Sequence, residues 1–401
     1  MESVTKSILN EKYTGSQRPL TYPVVFLHGM FGFSHDNHIG ITYFYSIRNA
    51  FEPLNLTIYE PFLGAFDNWF IRCFRLIFYM KQVYPEWDIQ HPVHFIGHSL
   101  GGITGNKFID IMMRHSEMKI SQEQWKEFLY RFSHLLCRYP ALKQLEWKYD
   151  MRITEILDLI YPHRSYGPNM VKSIICMQSP MQGVSIFHKT DKITTIHDNL
   201  VIHKFSIMSI WIRLLEIYLR YIYRFSNFIY DFGVETKEFC HQSYPANINQ
   251  SILLSKKYAL WECSGPGCYE IFRNYRLNPS TYYLSVSFTL ADSLLDRIST
   301  IFSNPLMTPL LLNTVMLSTV EGTDGVVPLE SQISFEHISA HLITNIHNIN
   351  LIKPVRNHFS VEFGDHVFPL FCYVPSFSRD YANSLLNFMI ISEQQSNTAF
   401  L

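Results

Sequence analysis

The sequence predicts an α/β protein with a mainly parallel central sheet covered by helices on both faces. Three observations predict it. Short apolar runs of strand length alternate with longer stretches at helical spacing, the order that builds a parallel sheet. The pentapeptide Gly97-His98-Ser99-Leu100-Gly101 joins one such run to one such stretch through the tight bend of a nucleophile elbow. The chain of 401 residues is 47% hydrophobic with a formal net charge of −1, enough apolar material for a large core.

The first strand is Val24-Val25-Phe26-Leu27, which ends in the turn His28-Gly29-Met30-Phe31-Gly32. A helix is expected around 43–51, a short strand at Leu56-Thr57-Ile58-Tyr59 and a helix over 66–84. The run Val93-His94-Phe95-Ile96 feeds the pentapeptide. Beyond it, Leu100, Ile103, Phe108, Ile111 and Met112 recur at the spacing of a helix with one buried face. Helices rich in charge and aromatic residues dominate 121–160. Ser173-Ile174-Ile175-Cys176 is a strand running into Pro180, residues 282–288 alternate as a strand, and 350–355 is a further strand. A helix around 380–389 closes the pattern. One domain over 1–401 accounts for this order, with a helical insertion at about 115–165 and a lid or cap at about 185–275. Two domains would also fit the length, and no internal repeat is present.

The stretch 207–230 is apolar enough to suggest a membrane span, but Arg213, Glu216, Arg220 and Arg224 recur every three or four residues along it. Charges on every turn are too costly in lipid. An amphipathic helix fits better, with Ile210, Trp211, Leu214, Tyr218 and Tyr221 on its apolar face. It either packs permanently on the core or moves as a lid over an apolar cleft.

Composition excludes several classes. A charge balance near zero gives no electrostatic footprint for nucleic acid. The 7 cysteines are odd in number and scattered, which is neither a disulfide framework nor a zinc ribbon. Residues 1–20 are polar and mixed in charge, without the apolar core of a Sec-type signal peptide. With no transmembrane helix either, the expectation is a cytoplasmic protein or one exported by a non-Sec route. The 31 Phe and 24 Tyr suit either a roomy apolar pocket, a lipid-facing surface or simply an aromatic core.

A serine nucleophile needs a base, and the base needs an orienting carboxylate, in the chain order Ser, acid, His for this kind of elbow. Downstream of Ser99, the acid candidate is Asp324 in the turn-rich Gly322-Thr323-Asp324-Gly325-Val326-Val327-Pro328. Two late histidines, His358 and His366, are candidates for the base, each expected in the loop after the strand at 350–355. The oxyanion hole would use the backbone N–H groups of Leu100, which follows the nucleophile, and Met30 in the glycine turn. The alternative for these residues is plain: turn glycines, a capping serine and an Asp-Gly turn.

Together these segments resemble the bacterial true lipases of staphylococcal and Geobacillus type, which have the α/β-hydrolase fold. The likeness runs through Tyr22 to Gly32, Phe66-Asp67-Asn68-Trp69, His94 to Gly102, Ser173 to Val184, Asn278 to Ser285 and Thr323 to Pro328. It implies Ser99 as nucleophile and Asp324 as the acid. It favours His366 over His358, because Asp365-His366-Val367 followed by Pro375-Ser376-Phe377 keeps the family's order. The residues directly around His358 also resemble the family's histidine segment.

The family's structural zinc and its calcium are not expected here. Phe70 stands where one zinc-binding aspartate belongs, the segment between Trp69 and His94 is too short for the histidine loop, and Phe368 and nearby apolar residues replace the calcium carboxylates. The expectation is a cofactor-free carboxylic-ester hydrolase with a lipid ester substrate and transient contact with a lipid interface. A phospholipase or acyltransferase on the same triad, or a silent scaffold binding lipid or a partner protein, are the alternatives.

Overall fold

Strand β1 (Val24–Leu27) is buried along its whole length, and successive side chains point to opposite faces of the sheet. Val24 and Phe26 enter one apolar cluster, while Val25 and Leu27 enter another. A strand covered on both sides needs this unbroken apolar run, which is why it was legible. The computed structural model describes residues 20–30, 32–33, 42–117, 121–136, 140–159, 167–184, 194–196, 199–201, 259–288, 324, 326–335, 338, 340–342, 356–361 and 375–398.

Helix α1 (Tyr45–Phe51) leads to the short strand β2 (Ile58–Tyr59). Helix α2 (Trp69–Val83), strand β3 (Val93–His98) and helix α3 (Leu100–Glu117) follow. Three further helices, α4 (Gln122–Leu136), α5 (Pro140–Tyr149) and α6 (Ile153–Leu159), occupy the stretch expected to be helical. Then come β4 (Val171–Met177), the antiparallel pair β5 (Thr194–Ile196) and β6 (Asn199–Val201), and helices α7 (Ala259–Glu262) and α8 (Gly265–Phe272). Strand β7 (Tyr282–Phe288), helix α9 (Leu329–Ile333), strands β8 (Ala340–Leu342) and β9 (Arg356–Val361), and helix α10 (Pro375–Thr398) complete the described chain.

The main sheet has the order β2-β1-β3-β4-β7-β9-β8, with every neighbouring pair parallel. Phe44, Ile47, Phe51, Leu385, Phe388 and Met389, from α1, its entry and α10, cover one face. Leu76, Phe78, Ile103 and Phe108 of α2 and α3 cover the other, together with Trp125, Leu145 and Ile153 of the three-helix stretch. The strands of this sheet end on one edge, and the described loops that follow β1, β3 and β4 leave from there, the usual place for a ligand in such sheets.

The expected strand at 350–355 lies outside the described residues, and a late strand runs over 356–361. Its start is polar, because Arg356 and Asn357 are fully buried and hydrogen-bonded to Asn106 and to the Tyr283 carbonyl. An apolar-run criterion passes over such a strand. His358 therefore sits within a strand and not in the loop after it. The stretch 207–230 lies outside the described residues, as does most of the expected lid at 185–275. Among the described residues no helix is long and apolar enough to cross a membrane. Cys73, Cys176, Cys263 and Cys268 are free, buried thiols.

Candidate active site

Strand β3 ends at His98 and α3 begins at Leu100, so Ser99 alone makes the turn between them. It does so at φ +52°, left-handed backbone that costs a residue with a Cβ on the order of 1–3 kcal/mol. The surroundings enforce it. The Ser99 N–H donates to the Met177 carbonyl at 2.9 Å, and the Ser99 carbonyl accepts from Gly102 N–H at 3.0 Å. The expected role of the glycines is met by geometry: a Cβ on Gly101 would lie 1.8 Å from the Leu27 carbonyl oxygen, and one on Gly97 would lie 2.6 Å from Gly102 N. Helix and strands are packed backbone to backbone around the bend.

The turn after β1 lies against this serine. A Cβ on Gly29 would come within 2.9 Å of Ser99 Cβ, so only a glycine lets the two loops approach. His28 fixes the peptide plane that follows. Its Nε2 accepts from Leu63 N–H at 2.9 Å, and its Nδ1 lies 2.8 Å from the Gly29 carbonyl oxygen. A donor at Nε2 leaves the proton on Nδ1, which donates to that carbonyl. The ring is neutral: burial, and then the Arg72 charge, hold its pKa well below the ordinary imidazole value. Gly32 N–H donates to the same Gly29 carbonyl at 3.2 Å. In a trans peptide the N–H points opposite to the carbonyl, so the Met30 N–H projects from the far side of this pinned group. The Gly29 N–H is committed elsewhere, to Tyr43 Oη at 3.2 Å, and Tyr43 Oη also meets His98 Nδ1 at 2.9 Å.

Leu100 is the first residue of α3, so its N–H is one of those a helix N-terminus leaves without an intrahelical acceptor. Asp324 is fully buried, and its Oδ1 accepts from Val326 N–H at 2.9 Å and Val327 N–H at 2.7 Å. Gln332 of α9 ties this loop to the end of β7, bonding both the N–H and the carbonyl of Phe288 and the Val327 carbonyl. Ser331 ties it to the loop after β4, through Met181 N–H and Gln182 N–H. Ser99, Leu100, the His28–Met30 turn and the Asp324 loop thus share the edge where the parallel strands end.

His358 Nε2 bonds Ser287 Oγ at 2.8 Å, and burial pushes its pKa down to about 4. His366 lies outside the described residues, between the end of β9 and the start of α10. Sequence reasoning passed over Tyr43, Arg72 and Gln332. Arg72 left one trace: it and Arg75 are the two charged residues in a mostly apolar run from Trp69 to Met80, and such residues must find partners indoors.

Residues at the start of α2 do not fit the zinc that the lipase resemblance implies. Phe70 packs its ring on Trp69 and Phe74, the Asp67 carboxylate is paired with Arg75 at 2.7 Å, and Glu262 accepts from Trp69 N–H. Burial raises the Glu262 pKa to about 8.

The parallel sheet, the strained serine between β3 and α3 and the loops around it define an α/β-hydrolase fold. The crystal structure of Staphylococcus hyicus lipase aligns with 96% of this chain and 99% of its own, with a TM-score of 0.66 at 17% identity. EstA from Clostridium botulinum aligns with a TM-score of 0.59 and lipase 1 from Pelosinus fermentans with 0.54, each at 16% identity. EstA covers 95% of this chain and 90% of its own, and the Pelosinus lipase 91% and 98%.

In sequence the chain resembles the staphylococcal lipases. It is 24% identical to lipase 1 of Staphylococcus aureus over 132 residues, which are 25% of this chain and 19% of that protein. It is 30% identical to the Staphylococcus hyicus lipase over 112 residues, which are 20% and 17%. The chain thus spans less than a fifth of the length of either relative. No family model matches it.

Proposed function

We propose that this chain is a carboxylic-ester hydrolase of lipase type, acting on lipid esters through Ser99. The observation that carries the proposal is the strained Ser99 at φ +52° with the His28–Met30 turn packed directly against it. A protein keeps such strain where a side chain must stand clear of the sheet. Ser99 Oγ attacks the ester carbonyl as His366 takes its proton, and Asp324 holds the imidazole in the required tautomer. The carbonyl oxygen becomes an oxyanion that accepts from Met30 N–H and Leu100 N–H. Collapse expels the alcohol, which takes the proton from His366 and leaves an acyl-Ser99 ester. Water then adds to that ester, giving its proton to His366, and the fatty acid leaves as Ser99 recovers the proton.

His366 is preferred as the base because His358 is engaged by Ser287, and an imidazole with a pKa near 4 accepts protons poorly at neutral pH. The likeness in sequence and fold to proteins named as lipases supports the substrate class, and transient contact with a lipid interface goes with such a substrate. Labelling with a fluorophosphonate probe tests the assignment. Wild type is expected to label, Ser99→Ala and His366→Ala to lose labelling, and His358→Ala to retain it. An unlabelled wild type overturns the hydrolase proposal, and loss confined to His358→Ala moves the base to that residue.

A further inference from the structure

Arg72 is fully buried on the first turn of α2, where a positive charge opposes the helix dipole. Its guanidinium reaches two loops and helix α3. One Nη donates to the His28 carbonyl, the other to the Gly64 carbonyl at 2.6 Å, and Nε donates to Thr104 Oγ1 at 2.8 Å. Thr104 Oγ1 in turn donates to the Leu100 carbonyl at 3.0 Å. The two backbone segments given to the oxyanion in the ester-hydrolase proposal, one ending at Met30 and one at Leu100, thus meet at one side chain. Tyr43 makes a second link between them, its Oη accepting from Gly29 N–H and meeting His98 Nδ1 just before the elbow.

We infer that Arg72 is a positioning residue that sets the separation of the two oxyanion donors. The inference rests on the ester-hydrolase proposal above. A planar fork with fixed N–H directions suits the task, because three acceptors in three directions define one position for each segment. Lysine could meet the charge but not the geometry. The charge persists at neutral pH: burial lowers the guanidinium pKa to about 10, while Glu262 and then Asp67 support the cation. Arg72 does not touch the reacting atoms. Its effect is to hold Met30 N–H and Leu100 N–H at a distance that fits an oxyanion, and a misplacement there weakens transition-state binding more than substrate binding.

The test compares wild type with Arg72→Lys, Arg72→Ala and Thr104→Val on p-nitrophenyl butyrate, alongside the rate of fluorophosphonate labelling. Losing a single oxyanion donor costs about 10²–10³-fold in kcat, so a displaced pair is expected to cost Arg72→Lys and Arg72→Ala on the order of tenfold to a hundredfold. KM should stay within about twofold of wild type, because ground-state binding is unaltered. Added guanidinium ion should restore part of the labelling rate to Arg72→Ala and none to Ser99→Ala. Thr104→Val breaks only the link to Leu100 and is expected to show a smaller fall of the same kind, with Thr104→Ser, which keeps the hydroxyl, losing less. Should Arg72→Ala fail to fold, Arg72→Lys and Thr104→Val decide the question. Folded variants with wild-type kcat, or losses in KM alone, overturn the inference. A wild type that neither labels nor hydrolyses the ester overturns the hydrolase proposal instead.

Discussion

The two ends of strand β3 carry the same kinds of residue and have opposite characters. At its C-terminal end stands Ser99, 9% exposed on left-handed backbone. Near its N-terminal end stands His94, whose ring bridges Ser173 Oγ at 2.8 Å and Glu393 Oε1 at 2.9 Å. Drawn on paper, the second set is a complete Ser-His-acid relay. The carboxylate takes the Nε2–H, so Nδ1 accepts from the serine. Yet Ser173 and His94 are fully buried and paired across two strands of the sheet, and Glu393 also accepts from Thr21 N–H and Tyr22 N–H. That relay is a latch holding the segment before β1 and helix α10 to the sheet. The difference teaches that residue types alone do not separate the two sets, whereas exposure, position at a helix start and backbone strain do.

Gly101→Ala is the harshest test of the contrast. The new methyl would overlap the Leu27 carbonyl oxygen, which is backbone and cannot rotate away. The expected cost is about 3 kcal/mol, the upper range for overpacking, with fluorophosphonate labelling lost even in protein that folds. Chemical denaturation and labelling on the same sample check both. A stable, fully labelled Gly101→Ala would mean that the bend is not close-packed.

Glu393→Gln probes the other end. It keeps an acceptor for Thr21 and Tyr22 but removes the charge, and should cost about 2 kcal/mol while leaving the labelling rate of folded protein at the wild-type value. The pH dependence gives a sign. Burial opposes ionisation of Glu393, but the bond to His94 and the two backbone N–H groups outweigh it, so its folded-state pKa lies below the ordinary 4.5. Its stabilisation is therefore present above pH 4.5 and is lost as pH falls through the folded-state value. The gap in stability between wild type and Glu393→Gln should close below pH 4.5. Burial first, offset in part by Glu393, also depresses His94 below 6.5, so wild type begins to lose stability as pH drops from 6.5. A gap that widens below pH 4.5 would dismantle the latch.

The two ends were also unequally legible in the sequence. The elbow is local: five consecutive residues with two glycines, an apolar strand before them and a helical period after them carry the geometry. The turn at His28-Gly29-Met30 was visible for the same reason, as were the strands at 24–27 and 282–288. The latch joins residues 299 positions apart, and neither His94 inside an apolar run nor Glu393 on a late helix advertises a partner. An apolar pattern does not mark β9, whose first residues are buried and polar, nor Arg72, whose partners are carbonyls and a hydroxyl on other segments. Geometry written in local backbone could be read. Geometry made by tertiary contact could not.

Ser173→Ala should remove one buried hydrogen bond, cost about 1 kcal/mol and leave labelling unchanged. Loss of labelling there would give the latch a share in the chemistry and erase the contrast.

The smallest effect is the most discriminating, because it reverses sign between the two ends. Replacing a residue by glycine usually destabilises by roughly 0.5–1 kcal/mol through chain entropy. At position 99 the replacement also releases left-handed strain of on the order of 1–3 kcal/mol. Ser99→Gly should therefore be more stable than wild type by about 1 kcal/mol, and more stable than Ser99→Ala, which keeps the Cβ and so the strain. Ser173→Gly, on a buried strand without left-handed backbone, should be less stable than Ser173→Ala. Urea denaturation of the four variants separates the cases. If Ser99→Gly is the weaker of its pair, the backbone at the elbow carries no strain, and the serine is held there by packing alone. If it is the stronger, the fold bears a local cost at Ser99 that only a task for the hydroxyl explains.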